Sequence, residues 1–247
     1  MTLMLSAALF ALAAPLAAQA QTVSPAIQTA LADAGRPAED KARDAARHPG
    51  EMLALAGVKR GDKVADFIMG GGYWTRILAK TVGPKGHVYA YQPAEFIKFK
   101  ADYATQQKAV ADAYPNVTAS SDSLAAFSFP EPLDAIVTVQ NWHDLHLKMS
   151  PPGFAGTVAK KLYASLKPGG VFLVIDHVAN ADPEGAAPQT LHRIDPAAAR
   201  AEIEAAGFKF VSESKLLADP ADPHTASVFD PSIRGKTDQF VYKFRKP

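Results

Sequence analysis

Residues 64–80, V-A-D-F-I-M-G-G-G-Y-W-T-R-I-L-A-K, constrain the fold more than any other part of the chain. Residues 64–69 are an apolar run of strand length. Gly70, Gly71 and Gly72 follow, and Trp74, Ile77 and Leu78 then fall at helical spacing. The order is strand, glycine bend, helix. Glycine lets the backbone take positive φ and lets a ligand come close with no Cβ in the way. The free N–H groups at the helix start then face something electron-rich. A plain tight turn would use the same residues, so the bend gains meaning from its surroundings.

Those surroundings repeat the pattern. Strands are predicted at residues 87–92, 117–121, 133–140 and 171–178, with a closing pair at 208–213 and 239–244. Helices are predicted at 93–114, 151–166 and 196–206, each opening on a proline, and residues 179–194 read as a polar loop. Before the glycine bend, residues 21–36 read as a loose helix or linker, 38–47 as a helix, and 51–56 as another. Alternation at this spacing predicts an α/β fold, a doubly wound and mostly parallel sheet with helices on both faces. The last two strands are expected to be antiparallel neighbours.

The 247 residues suit one large α/β domain or two small ones. No repeat or low-complexity linker divides them, so residues 53–247 read as one domain with a helical extension over 21–52. A net charge of +1 gives no electrostatic case for nucleic acid as a partner. Zero cysteines excludes disulfides and thiolate metal sites. Residues 1–20 are mostly Leu and Ala, carry no charge and end in Ala18-Gln19-Ala20. They read as a signal peptide cleaved after Ala20, with an uncleaved N-terminal anchor as the other reading. The expected location is the periplasm, with no stable membrane insertion after cleavage, because nothing past residue 20 is long and apolar enough to span a bilayer.

Four segments together, A-D-F-I-M-G-G-G-Y-W-T-R-I-L-A, G-H-V-Y-A-Y, L-D-A-I-V-T-V and L-K-P-G-G-V-F-L-V-I-D, carry a resemblance. The chain resembles the class I S-adenosylmethionine-dependent methyltransferases over residues 53–244, and more narrowly a bacterial group of exported methyltransferase-like proteins. The resemblance implies a seven-stranded Rossmann-like methyltransferase sheet with a final antiparallel strand. It implies S-adenosylmethionine as cofactor, lying across the C-terminal ends of the first strands. Asp66 begins the glycine motif; Gly70 and Gly72 match its second and third glycines, with Gly71 between them. Asp122 matches the position that meets the adenine amine, and Gln140 and Asn141 the edge of the donor and substrate pocket. Two positions depart from the pattern. The first motif glycine is Ile68, and the acidic residue that ends the second strand is Gln92. A neutral amide there forms bonds roughly half as strong as a carboxylate would to ribose hydroxyls.

Past the fourth strand the sequence runs Asn141-Trp142-His143-Asp144-Leu145-His146. His143 is a candidate general base, with Asp144 as its catalytic partner or as a turn cap. Trp142 and His146 are candidates to meet a small-molecule substrate, Trp142 flanking a flat ring or a sulfonium; core packing of Trp142 is the alternative. His143, Asp144, His146, Asp176 and His177 could together ligate a metal, but their spacing lacks a helical i, i+4 pair, so no metal ligands are assigned. Arg193 and Asp195 precede the last helix, where Asp195 fits an N-cap. A long polar loop around Phe229 reads as a lid or a surface loop. The sequence thus supports methyl transfer to a small acceptor. The other reading, prompted by Ile68 and Gln92, is a non-catalytic or repurposed periplasmic protein that binds a small molecule or metal on a degenerate methyltransferase fold.

Overall fold

The computed structural model describes residues 22–247, and the signal peptide expected over residues 1–20 lies outside the described residues. α1 (Pro25–Leu31) starts at Ser24, whose Oγ accepts the Ile27 N–H, with Pro25 in the first helical position. The segment expected to be loose is therefore a capped helix, and it buries Ile27 and Ala30. The single helix expected over 38–47 is two, α2 (Ala38–Lys41) and α3 (Asp44–Arg47). Carboxylates on either side of the break have different partners. Asp40 accepts from Arg76 Nε at 2.7 Å, whereas Asp44 accepts from Arg36 Nη2 and the Tyr73 hydroxyl, both at 2.6 Å. α4 (Pro49–Ala56) follows and ends at Gly57. It spans the 52/53 division, and Met52 and Leu53 share one core with Ile27.

Seven strands then form one sheet: β1 (Lys63–Phe67), β2 (His87–Tyr91), β3 (Val117–Ser120), β4 (Leu133–Val139), β5 (Leu166–His177), β6 (Lys209–Ser214) and β7 (Gln239–Arg245). Their order is β3-β2-β1-β4-β5-β7-β6. The first five are parallel, and β7 runs antiparallel between β5 and β6. The connecting helices are α5 (Tyr73–Val82), α6 (Ala94–Phe99), α7 (Asp102–Ala113), α8 (Phe154–Ser165), α9 (Ala187–Leu191) and α10 (Pro196–Ala205).

Side chains alternate across a strand, so one sheet serves two cores. Val64, Val88, Val137 and Leu173 face α1, α4, α5 and α7 and pack with Ile77, Leu78 and Val110. Phe67, Tyr91, Ile136 and Phe172 face the other way and pack with Leu162 of α8 and Ile203 of α10. Each such fully buried side chain contributes roughly 1.5–3 kcal/mol.

Three further expectations are corrected. The helix expected over 93–114 breaks at Lys100, whose backbone is extended (φ −140°), and restarts with Asp102 in the first turn of α7. The strand expected over 171–178 starts earlier, at Leu166, because the chain end pairs with residues 169–170: Gly169 N–H donates to Lys246 O at 2.8 Å and Lys246 N–H to Gly170 O at 3.0 Å. The polar loop 179–194 contains the short helix α9.

Candidate functional site

The strand order reverses between β1 and β4, the place where open α/β sheets bind ligands. A cavity of about 560 Å³ opens there, past the C-terminal ends of β1, β2, β4 and β5. Its size falls in the range of small-molecule sites, roughly 300–1,000 Å³.

The glycine bend forms one wall. Ile68 has φ 66°, Gly70 54° and Gly72 81°. The position where the resemblance expects glycine thus keeps the left-handed conformation although a β-branched residue occupies it. Such a residue stores roughly 1–3 kcal/mol of strain. The Asn141 amide holds the distortion in place, donating to Ile68 O at 3.0 Å and Val139 O at 2.7 Å. A Cβ on Gly70 would meet nothing within 4 Å, so its side faces open space. Gly71 also lines the cavity. Gly72 is different: a Cβ there would stand 2.6 Å from Val110 Cγ2, so this glycine admits α7 rather than a ligand. Gly72, expected among the cofactor-binding residues, lies outside the cavity lining.

Gln92 is fully buried at the end of β2. Its Oε1 accepts the Gly70 N–H at 2.8 Å, and its Nε2 has no partner among the described residues. Trp74 also lines the cavity, and its buried Nε1 has no acceptor among the described residues. Asp66 lies beneath the bend and accepts from Thr75 Oγ1 at 2.6 Å. Burial raises its pKa to about 6, against the pull of the Thr75 bonds. Asp122 does not join them. Its side chain is exposed and outside the cavity lining, while its carbonyl accepts from the Tyr91 hydroxyl at 3.0 Å.

Arg43 and Arg47, which sequence reasoning missed, bring cations to the glycine wall. Arg43 pairs with Asp40. Arg47 has no carboxylate partner among the described residues; its guanidinium lies 4.7 Å from the Tyr73 ring centroid and Nη2 donates to Gln140 Oε1 at 3.4 Å. Their i, i+4 spacing is the one signal that puts both on a common helical face.

The opposite wall comes from the segment after β4. Gln140 takes φ 62° and lines the cavity with Asn141, His143 and Asp144. His143–His146 is a single 3₁₀ turn. It points His143 and Asp144 at the cavity and turns Trp142 and His146 away. Trp142 is fully buried, edge-on to Phe172, and its Nε1 donates to Glu202 Oε2 at 3.2 Å. His146 meets the same Glu202 oxygen at 3.1 Å. Neither of these two expected substrate residues lines the cavity.

His143 is held from behind. Asp176, fully buried at the end of β5, accepts its Nδ1–H and its backbone N–H, both at 2.8 Å. Burial opposes charge on the ring, but Asp176 outweighs it and, with Asp144, holds the imidazole pKa above its ordinary value. His177, beside it, bonds Thr237 Oγ1 at 2.8 Å, and burial pushes its pKa down to about 4. His192 arrives from the loop after α9 in the left-handed region (φ 52°). Its ring stands edge-on to His143, centroids 5.5 Å apart, and Phe229 packs against it at 4.8 Å. Arg193 lies elsewhere, fully buried and paired with Asp222 at 2.8 Å, and Asp195 caps α10 through the Ala197 N–H.

No family model matches the chain. Among curated proteins, a protein-L-isoaspartate O-methyltransferase from Ignicoccus hospitalis is 28% identical over 124 residues, half of this chain. The chain spans about half (51%) of the length of that relative. Among solved structures, a SAM dependent methyltransferase from Aquifex aeolicus superposes with TM-score 0.56 at 20% identity, over 81% of this chain and 89% of that one. The N-methyltransferase NodS from Bradyrhizobium japonicum gives TM-score 0.56 at 12% identity, over 85% and 99%. With the observed strand order, these likenesses give the chain the fold of the class I S-adenosylmethionine-dependent methyltransferases.

Proposed function

We propose that the protein is a periplasmic methyltransferase that uses S-adenosylmethionine to methylate a small acceptor with an apolar body. The observation that carries the reading is Gln92, which lines the cavity at the end of β2 and whose buried Nε2 has no partner among the described residues. A buried donor left unsatisfied is costly, roughly 1–3 kcal/mol, and a sugar hydroxyl would accept from it. Gly70 leaves room on the same wall, and the Arg47 cation, free of any carboxylate among the described residues, complements the carboxylate of a methionyl group. The residues present therefore fit the donor. Bound there, it supplies a sulfonium methyl group.

The far wall suits the acceptor. Phe99, Met149 and Phe229 border the cavity and are 91%, 73% and 56% exposed, which makes an apolar rim. His143 Nε2 faces Asp144 Oδ1 at 3.3 Å at the inner end, where an acceptor O–H or N–H gives up its proton. Asp176 fixes the ring so that Nε2 points at that edge. Most of the rate would come from holding the partners in line, with a smaller part from the base.

Titration calorimetry with S-adenosylhomocysteine tests the reading. Binding is expected, and Arg47→Ala should weaken it about tenfold or more while circular dichroism stays unchanged. No heat with either the donor or its demethylated product at high protein concentration would overturn it. For location, fractionation of a bacterium expressing the full chain should place it in the periplasm, with a mature N-terminus at Gln21. A cytoplasmic protein retaining residues 1–20 would overturn that part.

A further inference from the structure

The same inner edge holds an arrangement that proton transfer alone does not account for. His143 Nε2, Asp144 Oδ1 and His192 Nδ1 lie within 4.8 Å of one another. His143 Nε2 is 3.3 Å from Asp144 Oδ1, and His192 Nδ1 is 3.8 Å from the same oxygen. Because Asp176 accepts the Nδ1–H of His143, the lone pair of that ring is on Nε2. Three electron-pair donors, two from the 3₁₀ turn and one from the loop after α9, thus converge on one point of the cavity wall. One cation placed between them would satisfy all three at once.

We infer that His143, Asp144 and His192 form a binding site for a divalent transition metal, zinc being the first candidate. Zinc bonds to imidazole nitrogen and carboxylate oxygen run about 2.0–2.2 Å, which puts tetrahedral ligand atoms roughly 3.3–3.6 Å apart. Two of the three edges are already within a few tenths of an ångström of that range. Two imidazoles and one carboxylate suit zinc or iron and disfavour magnesium and calcium. Three protein ligands leave a coordination position open toward the cavity, as in catalytic sites.

The supports behind the ligands point the same way. Asp176 orients His143 as a carboxylate behind a metal-binding histidine does, and it is fully buried for the purpose. His192 is held at a strained left-handed backbone position, and Phe229 fixes its ring from the cavity side. The fold thus spends strain to bring this ring to the edge. With a cation in place His143 Nε2 would be a ligand, and the second oxygen of Asp144 would be left as the group that could take the acceptor's proton. Metal binding itself does not depend on the methyl-transfer reading.

The test uses untagged full-length mature protein stripped with a chelator. Calorimetric titration with Zn²⁺ should give one site per chain, and Co²⁺ should give the visible absorption of a bound nitrogen–oxygen site. His192→Ala and Asp144→Asn, both partly exposed positions, should each weaken Zn²⁺ binding at least about tenfold with the fold retained. His146→Ala and His224→Ala should leave it unchanged. No binding by the stripped protein, or one full equivalent retained with unchanged affinity by His192→Ala, overturns the site. S-adenosylhomocysteine titrated into the metal-free protein reports the donor pocket separately, so the two readings fail independently.

Discussion

The side-chain carbonyl of Gln92 accepts the backbone N–H of Gly70 at 2.8 Å, tying the end of β2 to the bend after β1. The amide that departs from the acidic pattern therefore has a definite structural task, and its Nε2 is left without a partner among the described residues.

Gln92→Leu removes both functions. The Gly70 N–H loses its acceptor, at a cost of about 1–2 kcal/mol. Urea denaturation should show that loss, and S-adenosylhomocysteine affinity should fall about tenfold. Unchanged affinity in a folded variant would separate Gln92 from the donor.

Gly70→Ala and Gly72→Ala should differ although both glycines have positive φ. An alanine in that conformation costs roughly 1–2 kcal/mol at either site. Only Gly72→Ala also collides with Val110, which adds about 1–3 kcal/mol. Adding Val110→Ala should therefore restore part of the Gly72→Ala loss and none of the Gly70→Ala loss. Equal denaturation midpoints for the two single variants would contradict the packing role of Gly72.

At position 68 glycine should be better than alanine. Ile68→Ala and Ile68→Gly lose the same buried contacts beyond Cβ, but only glycine relieves the strain at φ 66°. Ile68→Gly should be more stable than Ile68→Ala by roughly 1 kcal/mol, the reverse of the order at an ordinary strand end. Thermal denaturation of the pair decides it.

Asp66 should make the protein less stable toward neutral pH. Its folded pKa of about 6 lies above the ordinary 3.8, because burial favours the neutral acid. A raised folded pKa gives stability that is complete below the unfolded value and is lost as pH rises through the folded one. Between pH 4 and 7 the loss amounts to roughly 2 kcal/mol. Asp66→Asn keeps a neutral side chain, so its stability should lack that decline when both proteins are followed by urea denaturation across the window. Parallel curves would refute the assignment.

The strands were legible because apolar runs and period-two alternation leave few choices for where a sheet is buried. The glycine bend, the N-cap at Asp195 and the Asn141–Asp144 edge were legible for similar local reasons. Gly72 was not: a missing side chain reads the same whether a ligand or a helix approaches. Trp142 illustrates the same limit, since only the 3₁₀ turn decides that it faces Phe172 while His143 faces the cavity. Arg47 and His192 were missed because each reaches the cavity through tertiary packing, from a helix that precedes the sheet and from a loop within a polar stretch. No spacing in the sequence links either to the strand ends they meet.

α6 buries none of its residues fully, yet it supplies Glu95, Phe96 and Phe99 to the cavity. It is also cut off from α7 by the extended backbone at Lys100. Its ties to the body are the Glu95 carboxylate, which accepts the Leu124 N–H at 3.2 Å, and Phe96, which packs against the second core. One side of the cavity therefore rests on two residues of a short helix, whereas the glycine bend and His143 are fixed from the sheet itself.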